Sequence, residues 1–244
     1  MPAHAMTKAA ASAGGRCDLC STRQRCIVSS LPAERIAALQ GQIVERAVPL
    51  GGQIEEQGLR SLSVKVVKLG LFQGLRRAAR GEKRPVCLLG KGQVAGLNNL
   101  YRQPAALTLV AITPARVCEI PVRLVDEIAM GDRGFRRCLF QALARYVDNL
   151  ADWSRVPRGG SVTAQLGEAL RLIAHEEGRA AFRIPSHTEL ARMLGTRRET
   201  IARHIGLLIE GGQFVKIDRW HGRLLGMGGP EGADTQAGTQ AGTA

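Results

Sequence analysis

The sequence predicts an α+β protein in three parts: a β-roll (jelly-roll-like), a long helix, and a helix-turn-helix followed by a wing. Three observations carry this. Residues 44–121 hold short β-rich runs ("SVKVVKLGLF", "RPVCLLG", "LTLVAI", "ARVCEIP") split by glycine-containing turns ("PLGG", "ARGEKRP", "LGKGQ"), the spacing of a small sandwich or roll. Residues 122 to about 154 read as one long helix. Residues 187–210 then give two short helices around Gly195.

The chain divides into residues 1–30, an N-terminal segment with a cysteine cluster; 31–121, the roll; 122–155, the long helix; 156–227, the winged domain; and 228–244, a tail. Residues 1–16 and the Gly/Ala/Thr/Gln-rich tail lack the bulky apolar residues that repay ordering entropy, so both are expected to be disordered. "LPAERIAALQGQI" is a short helix, with Pro32 near its start and Ile36, Leu39 and Ile43 at helical spacing.

Within the long helix Leu139, Leu143, Tyr146, Leu150 and Trp153 step by four, three, four and three. That is a heptad seam, suited to a second helix or to the chain's own roll, and spacing alone does not separate the two. The last domain opens with the amphipathic "TAQLGEALRLIAHEEGR" and a strand, "AFRIP". Helices over 187–194 and 197–210 follow, the second ended by Gly211-Gly212. Ser186 is placed to cap the first, with Glu189 completing a capping box. "FVKIDRWHGRLLGM" closes the domain as a two-stranded wing.

At 244 residues and 45% hydrophobic, with mean hydropathy of −0.06, the chain is an ordinary globular protein by composition. No run approaches the roughly 18 to 20 apolar residues that cross a bilayer, and the opening lacks an apolar signal core. The cytoplasm is therefore the expected location, where clustered thiols favour metal over disulfide. A net charge of +13 favours an anionic partner, nucleic acid first. The charge does not say which part touches it: residues 59–103 hold ten Lys/Arg against one acid, residues 183–223 eight against four.

Leu190, Ala191 and Leu194 give the first short helix an inner face; Ile201, Ile205 and Leu208 do so for the second. The second then points Arg197, Arg198, Glu199 and Arg203 outward. Arg bonds bidentately to guanine and Glu accepts from cytosine, so this end suits a major groove.

"HTELARMLGTRRETIARHIGLLIEGG" resembles the winged helix-turn-helix of the Crp–Fnr transcription regulators, and the resemblance extends over roughly residues 17–226. It implies a roll that acts as sensor domain, a long dimerisation helix and a DNA-binding domain in the observed order. "GQVAGLNNLY" resembles the segment lining the nucleotide pocket of the cyclic-AMP receptor branch. That branch places an acid where Leu97 stands and an Arg-Ser pair where this chain has "QPAALT". With neither ribose acceptor nor phosphate clamp, no cyclic nucleotide is expected.

Cys17-x2-Cys20-x5-Cys26 is a ligand spacing, one thiolate short of a tetrahedral metal or a cubane cluster. Cys87, in an apolar strand, and Cys138, beside the seam, suit core packing. The Fnr branch resembles this chain in three N-terminal cysteines with the same gaps and a fourth in a "CEIP" context. The resemblance implies Cys17, Cys20, Cys26 and Cys118 as ligands of a [4Fe–4S] cluster; a structural zinc on the same four thiolates, with another effector bound in the roll, is the alternative. It further implies a cluster-loaded dimer that binds DNA without oxygen. The Fnr type keeps an acid near the position of Leu150, so a tighter seam and a residual apo-dimer are expected here, with Asp148 and Asp152 as a weaker brake.

The base-reading set implied is Arg198, Glu199, Ala202 and Arg203, with a G·C pair read by Arg203 and Glu199 in an inverted repeat. Ala202 suits a thymine methyl. Ser186, Thr188 and Arg197 are the phosphate contacts. The basic loop "RRAARGEKR" suits flanking DNA, RNA polymerase, or plain solvent. An iron–sulfur electron carrier is the competing class, but no flavin site, P-loop or catalytic set accompanies the cysteines.

Overall fold

The structure, a computed structural model, describes residues 11–12, 17, 19–79, 81–158, 160–179 and 181–225. The tail from 228 lies outside them. Strand β1 (Ala11–Ser12) precedes the cysteine segment, and α1 (Ala33–Leu39) follows it. The roll comprises β2 (Val44–Val48), β3 (Gln53–Glu55), β4 (Ser63–Leu69), β5 (Phe72–Arg77), β6 (Lys83–Leu89), β7 (Val94–Ala95), β8 (Thr108–Ala111) and β9 (Ala115–Pro121).

These form two antiparallel sheets, ordered β1-β2-β9-β4-β7 and β3-β8-β5-β6. Alternation along the strands sends Val67 and Val117 of one sheet inward against Phe72, Cys87, Leu89 and Leu109 of the other. The opposite face of the five-stranded sheet, with Val64, Val66 and Ile120, packs on Ile27, Val28, Leu31 and Ile36. β1 corrects one expectation: Ala11 and Ser12 pair with Arg46 and Glu45 on the edge of β2, so that part of the N-terminal lead is ordered. The rest of residues 1–16 lies outside the described residues.

The long helix is two. α2 (Val122–Gly131) ends where Asp132 adopts an extended conformation (φ −127°, ψ 112°), and the Asp132 carboxylate accepts from Phe135 N at 2.8 Å to cap α3 (Arg133–Arg155). An Asp at this position competes with helix continuation and starts a new one.

The winged domain contains α4 (Val162–Glu177), β10 (Ala181–Arg183), α5 (His187–Leu194), α6 (Arg198–Glu210), β11 (Phe214–Lys216) and β12 (His221–Leu224), its strands ordered β10-β12-β11. Its core of Leu166, Leu170, Ile173, Leu190, Ile201, Ile205 and Phe214 is continuous with Leu71, Leu88 and Ile112 of the roll through Trp153 and Val156. Roll and winged domain therefore share buried apolar surface. Among the described residues no helix is long and apolar enough to cross a membrane.

The heptad reading needs correction. Trp153 is 3% exposed and its indole is bonded to β6. Tyr146 and Leu150 pack against the roll interior, and Leu139 packs beside Phe135 and Ala142. Trp153 is buried in its own chain and Leu139, Tyr146 and Leu150 are half-buried against it; of the expected five Leu143 stands exposed. The free apolar face lies one position round the helix: Phe140 (66% exposed), Leu143 (48%) and Val147 (56%), with Ala144 and Ala151 also exposed.

Candidate cysteine centre and nucleic-acid interface

Cys17 and Cys20 belong to a run of tight turns: Cys20 N bonds Cys17 O, Arg23 N bonds Cys20 O, and Cys26 N bonds Arg23 O. Thr22, buried in this run, donates from its hydroxyl to the Lys68 carbonyl on β4 at 2.9 Å and pins the segment to the five-stranded sheet. Cys118 lies on β9 of that sheet, between Glu45 of β2 and Val66 of β4. The segment is thereby laid over the strand that carries the fourth cysteine.

The thiols sense one another. Burial first, then the charges of Cys17 and Cys20, pushes the Cys26 thiol up to about 11. Burial first, then Cys26 and more weakly Glu45 and Cys20, pushes Cys118 up to about 12, with Lys68 opposing. Both shifts keep these two sulfurs protonated as thiols near neutral pH, with the neighbouring cysteines adding to the effect of burial. Cysteine sulfur is nonetheless the donor type of thiolate-bound metal groups. The shell is not drawn in, however: among the described residues no three His, Cys, Asp or Glu side chains stand close enough to share an ion as placed. None of the six cysteines is disulfide-bonded.

The structure adds Lys68 and Glu45, which sequence reasoning missed. Lys68 Nζ bonds Glu45 Oε2 at 2.6 Å, and Arg116 bonds the other Glu45 oxygen at 3.1 Å. Burial opposes the Lys68 charge, but Glu45 and the nearby Cys20 and Cys118 outweigh it and raise its pKa. Only the strand register brings the partners together, across a sequence separation of 23. Of the other cysteines, Cys87 is fully buried between Gly74 and Tyr146, and its thiol is pushed up to about 12 by burial. Cys138 is half-buried on α3.

The helix-turn-helix is built as its sequence directs. Ser186 Oγ accepts from Glu189 N at 3.1 Å, and Gly195 ends α5 in the left-handed region at φ +62°. The Glu189 carboxylate takes Arg192 at 2.7 Å instead of closing a capping box. Ile201, Ile205 and Leu208 are buried, while Arg198, Glu199, Ala202 and Arg203 are all exposed on one end of α6. Ser186, Thr188 and Arg197 are exposed around the turn. His204 Nδ1 and Thr163 Oγ1, 2.7 Å apart, fix α6 to α4. In the wing, Arg219 and Arg183 sit 4.9 and 5.4 Å from the Trp220 ring, and Asp218 closes the turn by accepting from Trp220 N and His221 N. Leu97 and Ala106 pack against the cores of the roll.

No protein-family model matches the chain. It is 26% identical over 224 residues to the transcriptional activator protein FnrA of Stutzerimonas stutzeri, covering 86% of this chain and 91% of the relative. It is 29% identical over 133 residues to the transcriptional activator protein Anr of Pseudomonas protegens, about half of each chain (54% and 54%). Among solved structures it resembles FixK2 from Bradyrhizobium japonicum, with a TM-score of 0.63 at 17% identity, covering 75% of this chain and 92% of that one. It also resembles the c-di-GMP responsive regulator CLP of Xanthomonas campestris, with a TM-score of 0.56 at 19% identity, covering 80% and 100%. The fold is that of the Crp–Fnr regulators, and these sequence relatives are transcriptional activators.

Proposed function

We propose that the chain is a cytoplasmic, homodimeric DNA-binding regulator whose input is a redox-responsive [4Fe–4S] cluster. The observation that carries this reading is the placement of the segment bearing Cys17, Cys20 and Cys26 over β9, where Cys118 stands just before α2. These four cysteines would hold the cluster, which supplies a centre that reacts with oxygen or nitric oxide. Leu97 and the Pro104–Ala106 stretch offer no partner for a cyclic phosphate, which favours the cysteines as the input.

The chain's own residues give the output. After Cys26, Ile27 and Val28 pack with Phe135 in the first turn of α3. A shift of the segment is thus felt where that helix begins. Farther along α3, Phe140, Leu143 and Val147 form the face for a second copy. Pairing through that face sets two α6 helices to read the halves of an inverted repeat. Arg203 and Glu199 discriminate a G·C pair, Arg198 and Ala202 complete the readout, and Ser186, Thr188 and Arg197 fix register on phosphates. The basic loop at 76–84 suits flanking DNA or RNA polymerase.

The test is anaerobic purification with iron, sulfide and zinc analysis, followed by brief air exposure. A brown protein with about four irons per chain that bleaches in air is expected. A colourless zinc protein overturns the cluster and leaves a structural metal on the same thiols.

A further inference from the structure

A group outside both sites joins three parts of the chain. The Glu176 carboxyl, at the end of α4 in the winged domain, is buried. Its Oε2 accepts from Gly90 N at 2.9 Å in the turn between β6 and β7. Its Oε1 accepts from Asn149 Nδ2 of α3 at 2.7 Å and from Gln93 Nε2 at 3.4 Å. The Glu176 backbone carbonyl accepts from Lys91 N at 3.1 Å. The roll and helix α3 thus grip the last turn of α4, whose terminal carbonyls lack helical partners.

The turn fits closely. A Cβ on Gly90 would stand 2.6 Å from both Cβ and O of Glu176, so only glycine lets the backbones approach. Arg25, the residue before Cys26, lies across the same junction. A Cβ on Gly92 would stand 2.5 Å from Arg25 Cβ, and one on Gly178, the left-handed cap of α4, 2.7 Å from Arg25 Nη1. The guanidinium therefore rests on the C-terminal end of α4, where the helix dipole favours a cation.

We propose that the cysteine segment governs the winged domain directly through this junction: Arg25 and the Gly90–Gln93 turn latch the end of α4, and a shift of Cys26 releases it. The coupling follows from adjacency: Arg25 precedes Cys26 in the chain and packs on Gly92 and on Gly178, the cap of α4. Drawing Cys26 toward a shared ion moves its neighbour Arg25 and uncovers the cap of α4. The last turn of α4 is then loosened from the roll at the time the segment acts on α3. This inference rests on the cysteines being the signal input, but the latch contacts themselves involve no thiol.

Amide exchange by NMR on the metal-free full-length protein tests the latch. Arg25→Ala and, separately, Gly90→Ala are expected to accelerate exchange at Gly90, Lys91 and the last amides of α4 about tenfold or more. Amides of Val67 and Phe135 should keep their protection, which shows that the variants fold. Unchanged rates in folded Arg25→Ala overturn the proposal. A second arm loads the wild-type chain anaerobically with ferrous iron and sulfide. Faster exchange at Gly90 and Lys91 supports release, and iron uptake without that change overturns it. If no iron is taken up, the cluster reading fails while the variant arm still decides the latch.

Discussion

The indole Nε1 of Trp153 donates to the carbonyl oxygen of Pro85 at 2.9 Å, tying the last turns of α3 to β6 of its own roll. That bond, and the burial around it, make Trp153 a residue of the fold. Trp153→Ala is expected to cost about 3–5 kcal/mol of unfolding free energy. Trp153→Phe, which loses chiefly the hydrogen bond, should cost about 1 kcal/mol. Denaturant midpoints at constant slope measure both.

The exposed face of α3 should behave oppositely. Val147→Glu puts a charge on an open apolar stripe and leaves the core alone. We expect its melting point within a few degrees of wild type, while sedimentation shows dimer dissociation at least tenfold easier. A dimer unaffected by Val147→Glu would place the seam elsewhere.

Iron content separates the cysteines. Cys118→Ser and Cys20→Ser are expected to lose most bound iron after anaerobic purification, and Cys138→Ser to retain it. Cys87→Ser should also retain iron, but it buries a hydroxyl between Gly74 and Tyr146 and lowers stability by about 1–3 kcal/mol.

On DNA, Arg203→Ala is expected to cost about 1–3 kcal/mol on a cognate operator and to relax selectivity at one base pair. Arg197→Ala should weaken all sequences alike and lower the salt slope by about one. Binding measured against salt on matched and mismatched duplexes distinguishes them.

Glu176 also sets a pH dependence. Burial raises its pKa from the ordinary 4.5, against the donors Gly90 N, Asn149 and Gln93 and the charge of His175. The folded chain therefore holds this proton more tightly than the unfolded one. Its contribution to stability is greatest below about 4.5, falls as pH climbs through the raised folded value, and is level above it. Glu176→Gln should flatten that stretch of the stability–pH curve.

The strands and the helix-turn-helix were legible because local signals agreed: alternating valines in β4, a Ser186 cap, a left-handed Gly195. The burial along α3 was not legible for a physical reason. The bulkiest residues at heptad spacing mark the most buried face, and here that face meets the roll, leaving Phe140, Val147 and small alanines outward. The break at Asp132 was missed because helical periodicity continues across it. Four cysteines could be named from spacing and resemblance, but Lys68, Glu45 and Glu176 are joined only by the folded register. Glu176 and Gly90 lie 86 residues apart, and no local pattern reports such a contact.

The two-residue strand β1 carries a consequence of its own. Pairing of Ala11 and Ser12 with the edge of β2 makes the cysteine segment a loop anchored at both ends, by β1 before it and by the buried Ile27 and Val28 after it. Confining a chain of this length costs about 2 kcal/mol of loop-closure entropy, and β1 has already incurred it before any ligand arrives. Truncation ahead of Ser12 should therefore weaken metal retention although it removes no thiol.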